Sequence, residues 1–569
     1  MNLFKQRVAD LVQSALANMG AGEDAVGPVL ELVEIPPDEK LGDFAVPCFA
    51  FARTLRRSPV QIAEEIVAQA DRPPWLTHIK AVKGYVNVKL HRGHVAQHVL
   101  GDILRAGEAY GSREPNGRTV VIDYSSPNIA KPFSLGHIRS TVIGESLARI
   151  FAHQGYRVVR INHLGDWGTQ FGRVIGGYVR WADHDRLEKE PIKELFRLYV
   201  KFHEEAEKDP ALEDEARDWF RRMEEGDPVA LALWRRFREL SLLELERTYA
   251  RLGIRFDDYT GESAYNDVSD IIEKLRALGL LKESQGAQVV ELGDDIPPCL
   301  ITKSDGTTLY ATRDIAAAIR RQEQYNFDLA FYVVDSRQSL HFKQVFGVLE
   351  RMGYEWASGM EHIPFGTLQF GDEIMSTRKG NVIFLEDVLN EAVTRVKQII
   401  AERNPSLKNA DEVAEAVGVG AVIFNDLVHN RIKDISFQWE DVLNFDGDTG
   451  PYVQYTHARA CSVLRRADEQ GARPMSDGFD RLEWEDSEMR LVRLLGRFGE
   501  TVDAAAKGRE PSTVARYVLD LAQAFNGFYH SNRILGSERQ AERLALTDAV
   551  RQVLANGLRL LAMEAPPEM

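Results

Sequence analysis

His137 follows Gly136 at the point where an apolar run and a turn give way to helical periodicity. An imidazole on a first helical turn can donate to a phosphate oxygen as negative charge builds there. A glycine beside it lets a ligand approach the backbone, and the helix N-terminus behind it offers unpaired N–H groups to phosphate. These residue types in this order point to chemistry on a nucleotide phosphate. Taken alone the pair is a weak signal, because a lone histidine is more often structural or incidental.

The elements that must position the pair can be read around it. Val120 to Ile122 has the pattern of a buried strand, followed by a turn through Ser125, Ser126, Pro127 and Asn128. The helix expected from near Gly136 carries Ile138, Val142, Leu147 and Phe151 at roughly helical spacing; Gly155 marks its end, and Arg157 to Ile161 the next strand. A strand–loop–helix–strand unit of this kind starts a parallel nucleotide-binding sheet, with the ligand crevice at the carboxyl end of its first strand. Ala287 to Leu292 is expected to return to the sheet. Leu329 to Val334 begins a second unit that leads through Asp335 into the helix Leu340 to Met352 and sets Gln338 at the sheet's carboxyl edge. Tyr310 and Asp314, four apart, share one face if a helix begins there.

The longer string SSPNIAKPFSLGHIRST, from Ser125 to Thr141, resembles the His-x-Gly-His region of class I aminoacyl-tRNA synthetases, and specifically of the arginyl-tRNA synthetases. Asn162 to Gly172, NHLGDWGTQFG, is similar to a second block of that family, in the expected order and separated by one helix. The resemblance implies an α/β protein: a Rossmann-type parallel-sheet catalytic core with a helical insertion, a small α/β N-terminal domain and an all-α C-terminal domain. It implies arginine activation by ATP, with Mg²⁺ screening the phosphates, followed by transfer of arginine to the terminal adenosine of its tRNA. It also implies that the first step needs tRNA bound.

Site residues follow from that resemblance position by position. A guanidinium is a planar, permanently charged fork of five donors, so its pocket needs carboxylates and an aromatic or hydroxyl neighbour. Asp123, Ser126, Tyr310 and Asp314 match positions assigned to the arginine pocket, and Asn128 and Gln338 match those that hold the amino-acid head group. Ser134, Gly136 and His137 match the first ATP block. Phe365 and Gly366, in His362 to Gly366, match the stretch that frames adenine. Phe370 to Gly380, FGDEIMSTRKG, resembles the mobile KMSKS loop and contributes Met375 and Ser376 to ATP and Arg378 and Lys379 to the transition state.

Two departures put charge in doubt. Ser134 stands where the family's first histidine belongs, and Ile374 and Thr377 stand where its loop lysines belong. Lys131, just before Ser134, is a candidate substitute alongside Arg378 and Lys379.

The expected domains are 1–110, an additional tRNA-binding domain; 118–385, the catalytic core, with its insertion at about 179–285; 386–445, a helical connecting region; and 446–569, an anticodon-binding helical domain. Within 1–110, Leu30 to Ile35 is read as a strand, Ser58 as the cap of a helix opened by Pro59, and Ile79 to Leu90 as strands turning at Gly84. The first helix is expected to face inward with Leu3, Phe4, Val8, Leu11, Ala15 and Leu16. The insertion is charge-laced, the usual composition of a solvated helical face. From Asp411 onward there is little strand signal. Tyr452, Tyr455, His457 and Arg459 mix rings and cations in a way that suits unstacked tRNA bases and phosphates, although rings at helical spacing normally pack in a core.

The whole chain sets the remaining bounds. At 569 residues it exceeds a single core. Its net charge of −16 argues against a generic nucleic-acid coat but leaves room for a local basic face. Cys48, Cys299 and Cys461 lie far apart without metal-site spacing and suit a reducing compartment. The longest apolar run, Phe44 to Ala52, is too short to span a membrane, and the N-terminus lacks an apolar signal core, so a cytoplasmic monomer is expected. Two rivals to arginine–tRNA ligase remain: a non-catalytic arginine- or tRNA-binding paralogue, and a synthetase or nucleotidyltransferase of other specificity.

Overall fold

Valine and isoleucine at 120–122 make the Thr119–Asp123 strand apolar on both faces, and it is buried along its whole length. A strand that reads as a continuous apolar run belongs inside a parallel sheet covered on both sides. In the computed structural model, which describes residues 2–21, 27–38, 40–265, 267–304, 309–370 and 382–569, that is where it lies. The sheet runs in the order Met360–Phe365, Leu329–Asp335, Thr119–Asp123, Arg157–Ile161, and every pairing is parallel. The chain leaves Thr119–Asp123 first to one side and later returns on the other. The order in which strands are added therefore reverses between Thr119–Asp123 and Leu329–Asp335, and ligands of such sheets bind in the crevice at that switch.

Alternation sorts the layers. Val121, Val159, Ala330 and Tyr332 face a cluster with Ile315, Phe342 and Val345 from the helices Tyr310–Tyr325 and Ser339–Arg351. On the other face Phe331 meets Phe151 of the Ile138–His153 helix edge-on, with centroids 5.0 Å apart. Gly144 lets that helix approach the sheet, since a Cβ there would lie 2.2 Å from Cγ of Tyr124. Gly155, at φ 81°, turns the chain out of the helix into Arg157–Ile161.

The chain divides into two compact units. One comprises Ser112–Tyr455, Val502–Leu519 and Gly557–Met569; the other comprises Met1–Gly111, Thr456–Thr501 and Asp520–Asn556. In the first unit, after the helix Thr169–Trp181, the insertion is mainly helical, its longest helix being Pro228–Arg251, with Ser269–Ala277 following before the strand Leu281–Ser284. Ala287–Val290 does not return to the parallel sheet. It pairs antiparallel with Leu281–Ser284 across a turn at Gln285 and Gly286, and with Cys299–Thr302, in a separate three-stranded sheet. Beyond Asp411, where little strand is expected, one short strand, Ile435–Phe437, pairs with Leu368–Phe370.

In the second unit the strands Phe44–Pro47, Tyr85–Leu90 and Leu76–Val82 form an antiparallel sheet. Lys83 and Gly84 both have positive φ, the backbone of a two-residue hairpin turn. Ser58 caps Pro59–Gln69 through a reciprocal capping box with Gln61, as read. Leu30 to Ile35 is not a strand: Val29–Leu32 forms one helical turn, and Glu34 alone bridges to Ala45. On the first helix Phe4, Val8, Ala15 and Leu16 are buried, whereas Leu3 is exposed. Among the described residues no helix is long and apolar enough to cross a membrane.

Candidate active site

The loop after Thr119–Asp123 is conformationally costly. Ser125, Ser126 and Ala130 have φ of 71°, 46° and 59°, left-handed values that residues with a Cβ adopt only when their surroundings hold them. The restraints are identifiable. Ser140 Oγ accepts from the Ser125 amide at 2.9 Å, Ser125 Oγ meets Tyr249 Oη at 2.7 Å, and the Ala130 amide donates to Ser241 Oγ at 3.0 Å. Tyr249 and Ser241 both lie on Pro228–Arg251. The insertion is therefore more than a solvated face, because its last long helix pins the loop that carries the site.

His137 closes a single 3₁₀ turn, Leu135–His137, ahead of the long helix. The Ser134 amide donates to Nδ1 of His137 at 3.1 Å, so that nitrogen is unprotonated and Nε2 carries the hydrogen. Ser134 Oγ lies 2.9 Å from the same Nδ1, and the ring packs on Phe133 with centroids 5.3 Å apart. Burial pulls the His137 pKa down to about 4; the hydrogen bond to Ser134 opposes this and the nearby Lys131 charge adds to it. At neutral pH His137 is thus an oriented neutral donor. Ser134, the departure from the family pattern, anchors its ring. Lys131 lies beside the ring of Tyr199, Nζ 5.4 Å from the centroid, and lines a cleft with Asn128, Phe133, Glu244 and Glu386.

At the switch point the acidic residues are paired. Asp123 Oδ2 meets Arg321 Nη1 at 2.8 Å, with the side chains 8 % and 4 % exposed, and Asp123 Oδ1 accepts from Ser126 Oγ at 2.8 Å. Asp314 Oδ2 lies 2.6 Å from His341 Nε2. Tyr332, opposite Asp123 in the sheet, is buried and feels the charges of Arg321, Asp123 and Asp314. Glu262 is half-buried, with Arg313 only at 3.9 Å; its partial burial raises its pKa to about 7, Arg313 opposes the rise, and the charges of Asp314 and Asp166 reinforce it. Tyr310 opens its helix and is 61 % exposed, and Gln338 is exposed at the start of Ser339–Arg351. Asn128 bridges to Gly165 of the second family block, where a Cβ would lie 2.5 Å from Asn128 Oδ1.

At the sheet's outer edge, Phe365 closes the strand Met360–Phe365 and Gly366 follows it. Arg139, from the signature helix, donates to Gly366 O and Lys433 O at 2.8 Å each, pairs with buried Asp426 at 3.0 Å and lies over Phe365. The strand Met360–Phe365 is thereby tied to the helix that carries His137. Met375, Ser376, Arg378 and Lys379, with Ile374 and Thr377, lie outside the described residues.

The whole arrangement has close relatives. The description "tRNA synthetases class I (R), catalytic domain" matches residues 99–439, "Arginyl tRNA synthetase N terminal domain" matches 6–90, and "DALR anticodon binding domain" matches 453–569. A protein named arginine–tRNA ligase from Alkaliphilus metalliredigens is 48 % identical over 579 residues, covering all of both chains. The chain belongs to the class I arginyl-tRNA synthetases. A second relative of that name, from Exiguobacterium sibiricum, is 48 % identical over 569 residues, again covering both chains fully. The solved arginyl-tRNA synthetase of Thermus thermophilus superposes with a TM-score of 0.82 at 27 % identity, covering 99 % of this chain and 100 % of its own.

In this synthetase the four residues read for tRNA differ in what they present. Tyr455 is 41 % exposed, whereas His457 is 4 % exposed and packs against Cys461 Sγ at 3.8 Å. Arg459 donates to Asn526 and lies over Tyr529 at 5.2 Å; Tyr452 is half-buried. Sequence reasoning missed Glu262, Arg321, His341 and Arg139. Two had a signal: His341 comes three residues after Gln338, and Arg321 lies seven after Asp314, on one helical face. Glu262 and Arg139 reveal themselves only through distant partners.

Proposed function

We propose that this chain is an arginine–tRNA ligase. It activates L-arginine with ATP to arginyl-adenylate and pyrophosphate, then transfers arginine to the 3′-terminal adenosine of its tRNA. The observation that carries the proposal is the full-length correspondence with proteins named arginine–tRNA ligase, which reaches from the N-terminal sheet through the last helix.

The geometry supplies a route. His137 donates Nε2–H to a phosphate oxygen without bringing charge of its own, and the first turn of its helix offers backbone N–H groups. Lys131 supplies the nearby cation, and Arg378 and Lys379 would add to it. Ser134 and Gly136 border the phosphates, and Phe365, Gly366, Met375 and Ser376 the nucleoside side. Asp314 and Tyr310 form the end that meets the guanidinium, Asp123, paired with Arg321, and Ser126 shape the floor beneath it, and Asn128 and Gln338 hold the head group. The carboxylate of arginine attacks the α-phosphate, and the ribose hydroxyl of the tRNA then attacks the adenylate carbonyl. Both steps depend chiefly on positioning and charge stabilisation. Mg²⁺ enters with ATP as part of the substrate and screens its phosphates.

We assign 1–110 to the outer corner of the tRNA, 118–385 to catalysis with the insertion at about 179–285, 386–445 to a connecting region, and 446–569 to the anticodon stem and loop. Tyr455 is its most exposed candidate base platform, with Tyr452, His457 and Arg459 around it in sequence. The protein acts as a cytoplasmic monomer. Arginine-dependent ATP–pyrophosphate exchange by the purified chain, with its tRNA present, tests the proposal. A non-catalytic relative binds arginine or tRNA and gives no exchange.

A further inference from the structure

We propose that His341 is the positioning residue of the amino-acid pocket: its Nε2 holds one oxygen of Asp314 and so presents the other, in fixed orientation, to the substrate guanidinium. The inference rests on the assignment of Asp314 to arginine made above.

Three observations converge on it. His341 Nε2 lies 2.6 Å from Asp314 Oδ2, and among the described residues it is the one side chain in hydrogen-bond reach of that carboxylate. The contact joins Tyr310–Tyr325, which carries Tyr310 and Asp314, to Ser339–Arg351, which starts directly after Gln338. One hydrogen bond thus fixes the spacing between the proposed side-chain and head-group ends of the pocket. The His341 ring is itself held: it meets Phe342 at 5.3 Å edge-on, and Phe342 stacks on His362 at 4.7 Å and tilts on Tyr332 at 5.1 Å.

The contrast with Asp123 shows why an imidazole suits the task. Asp123 is paired with a guanidinium, which carries its charge at every pH and leaves the pair neutral. An imidazole can donate from Nε2 while uncharged, leaving the full negative charge of Asp314 for the ligand. A free carboxylate turns about a broad terminal torsion, whereas a forked cation selects one plane. Fixing that plane before arginine arrives removes an ordering cost from binding.

The test uses the full chain with its tRNA and compares His341→Leu, His341→Gln and Asp314→Asn in pyrophosphate exchange. Glutamine can place an N–H near the position of Nε2, whereas leucine has no donor. His341→Leu is expected to raise KM for arginine by about tenfold, the scale of one hydrogen bond to a charged group. KM for ATP and kcat should stay within about twofold, and His341→Gln should recover most of the loss. An unchanged arginine KM in His341→Leu, equal losses in both variants, or a matching change in ATP KM and kcat would overturn the role. If Asp314→Asn raises KM while His341→Leu does not, positioning fails alone. If Asp314→Asn leaves KM unchanged, the assignment of Asp314 fails and takes the positioning role with it.

Discussion

Asp123 and Arg321 form a buried ion pair, Oδ2 to Nη1 at 2.8 Å, at the carboxyl end of the central strand. The carboxylate read as a partner for an incoming guanidinium is already matched by a guanidinium of the chain itself. Its remaining oxygen is held by Ser126. Asp123 therefore shapes the floor of the crevice as one member of a neutral pair, which leaves Asp314, held by His341, as the carboxylate proposed to meet a cationic substrate.

Removing one member of such a pair leaves a buried charge unmatched. Arg321→Met is expected to cost about 3–5 kcal/mol of stability, read as a lowered urea midpoint. The double variant Arg321→Met, Asp123→Asn should recover part of that loss, because the orphaned charge is gone. A double variant no more stable than the single one would remove the pair's structural role.

His137 should contribute as a neutral donor. His137→Ala is expected to lower kcat for activation by about 10²–10³-fold. Its pKa of about 4 lies below the usual 6.5, so the ring is uncharged throughout the range from pH 5.5 to 8. The pH profile of kcat should therefore show no limb that disappears in the His137 variant. The appearance of such a limb near pH 6.5 would show that the ring titrates as an exposed one does.

Lys131 affects the same ring through its charge. Lys131→Ala should slow adenylate formation while leaving KM for arginine nearly unchanged. It should also move the His137 pKa upward, since the charge of the ammonium helps to hold it down. The ring protons of His137 in an NMR titration report that shift, and an unmoved pKa with an unchanged rate would assign Lys131 to the surface.

Glu262, near Asp314, should give the proposed pocket a pH dependence. Burial raises its pKa to about 7, so below that pH it is largely protonated and above it ionised. A cation arriving beside Asp314 favours the ionised form and expels the proton. KM for arginine should accordingly fall as pH rises through about 7, and Glu262→Gln should flatten that part of the profile. A profile identical in both proteins would place Glu262 outside the pocket's electrostatics.

Local pattern carried much of this structure. The apolar run before Asp123, the helical spacing from Ile138 and the turn at Gly155 are signals of short range, and all three elements form where their residues place them. Ala287–Val290 was misplaced because an apolar run looks the same whether its neighbours are parallel or antiparallel, and pairing is decided by distant segments. Leu30 to Ile35 was misread for a related reason, since a short apolar stretch before two prolines has too few residues for a period to declare itself. The site followed the same divide. His137 and Asp314 sat within recognisable strings, whereas Arg321 against Asp123 and Tyr249 against Ser125 are contacts across long stretches of chain, which no local window contains.

The most direct test is charging itself: the full chain, ATP and the tRNA for arginine, with radiolabelled arginine, lysine or glutamine in parallel reactions. Acid-precipitable label should accumulate with arginine and stay at background with the other two. Background label with arginine, or equal label with lysine, would contradict the assignment.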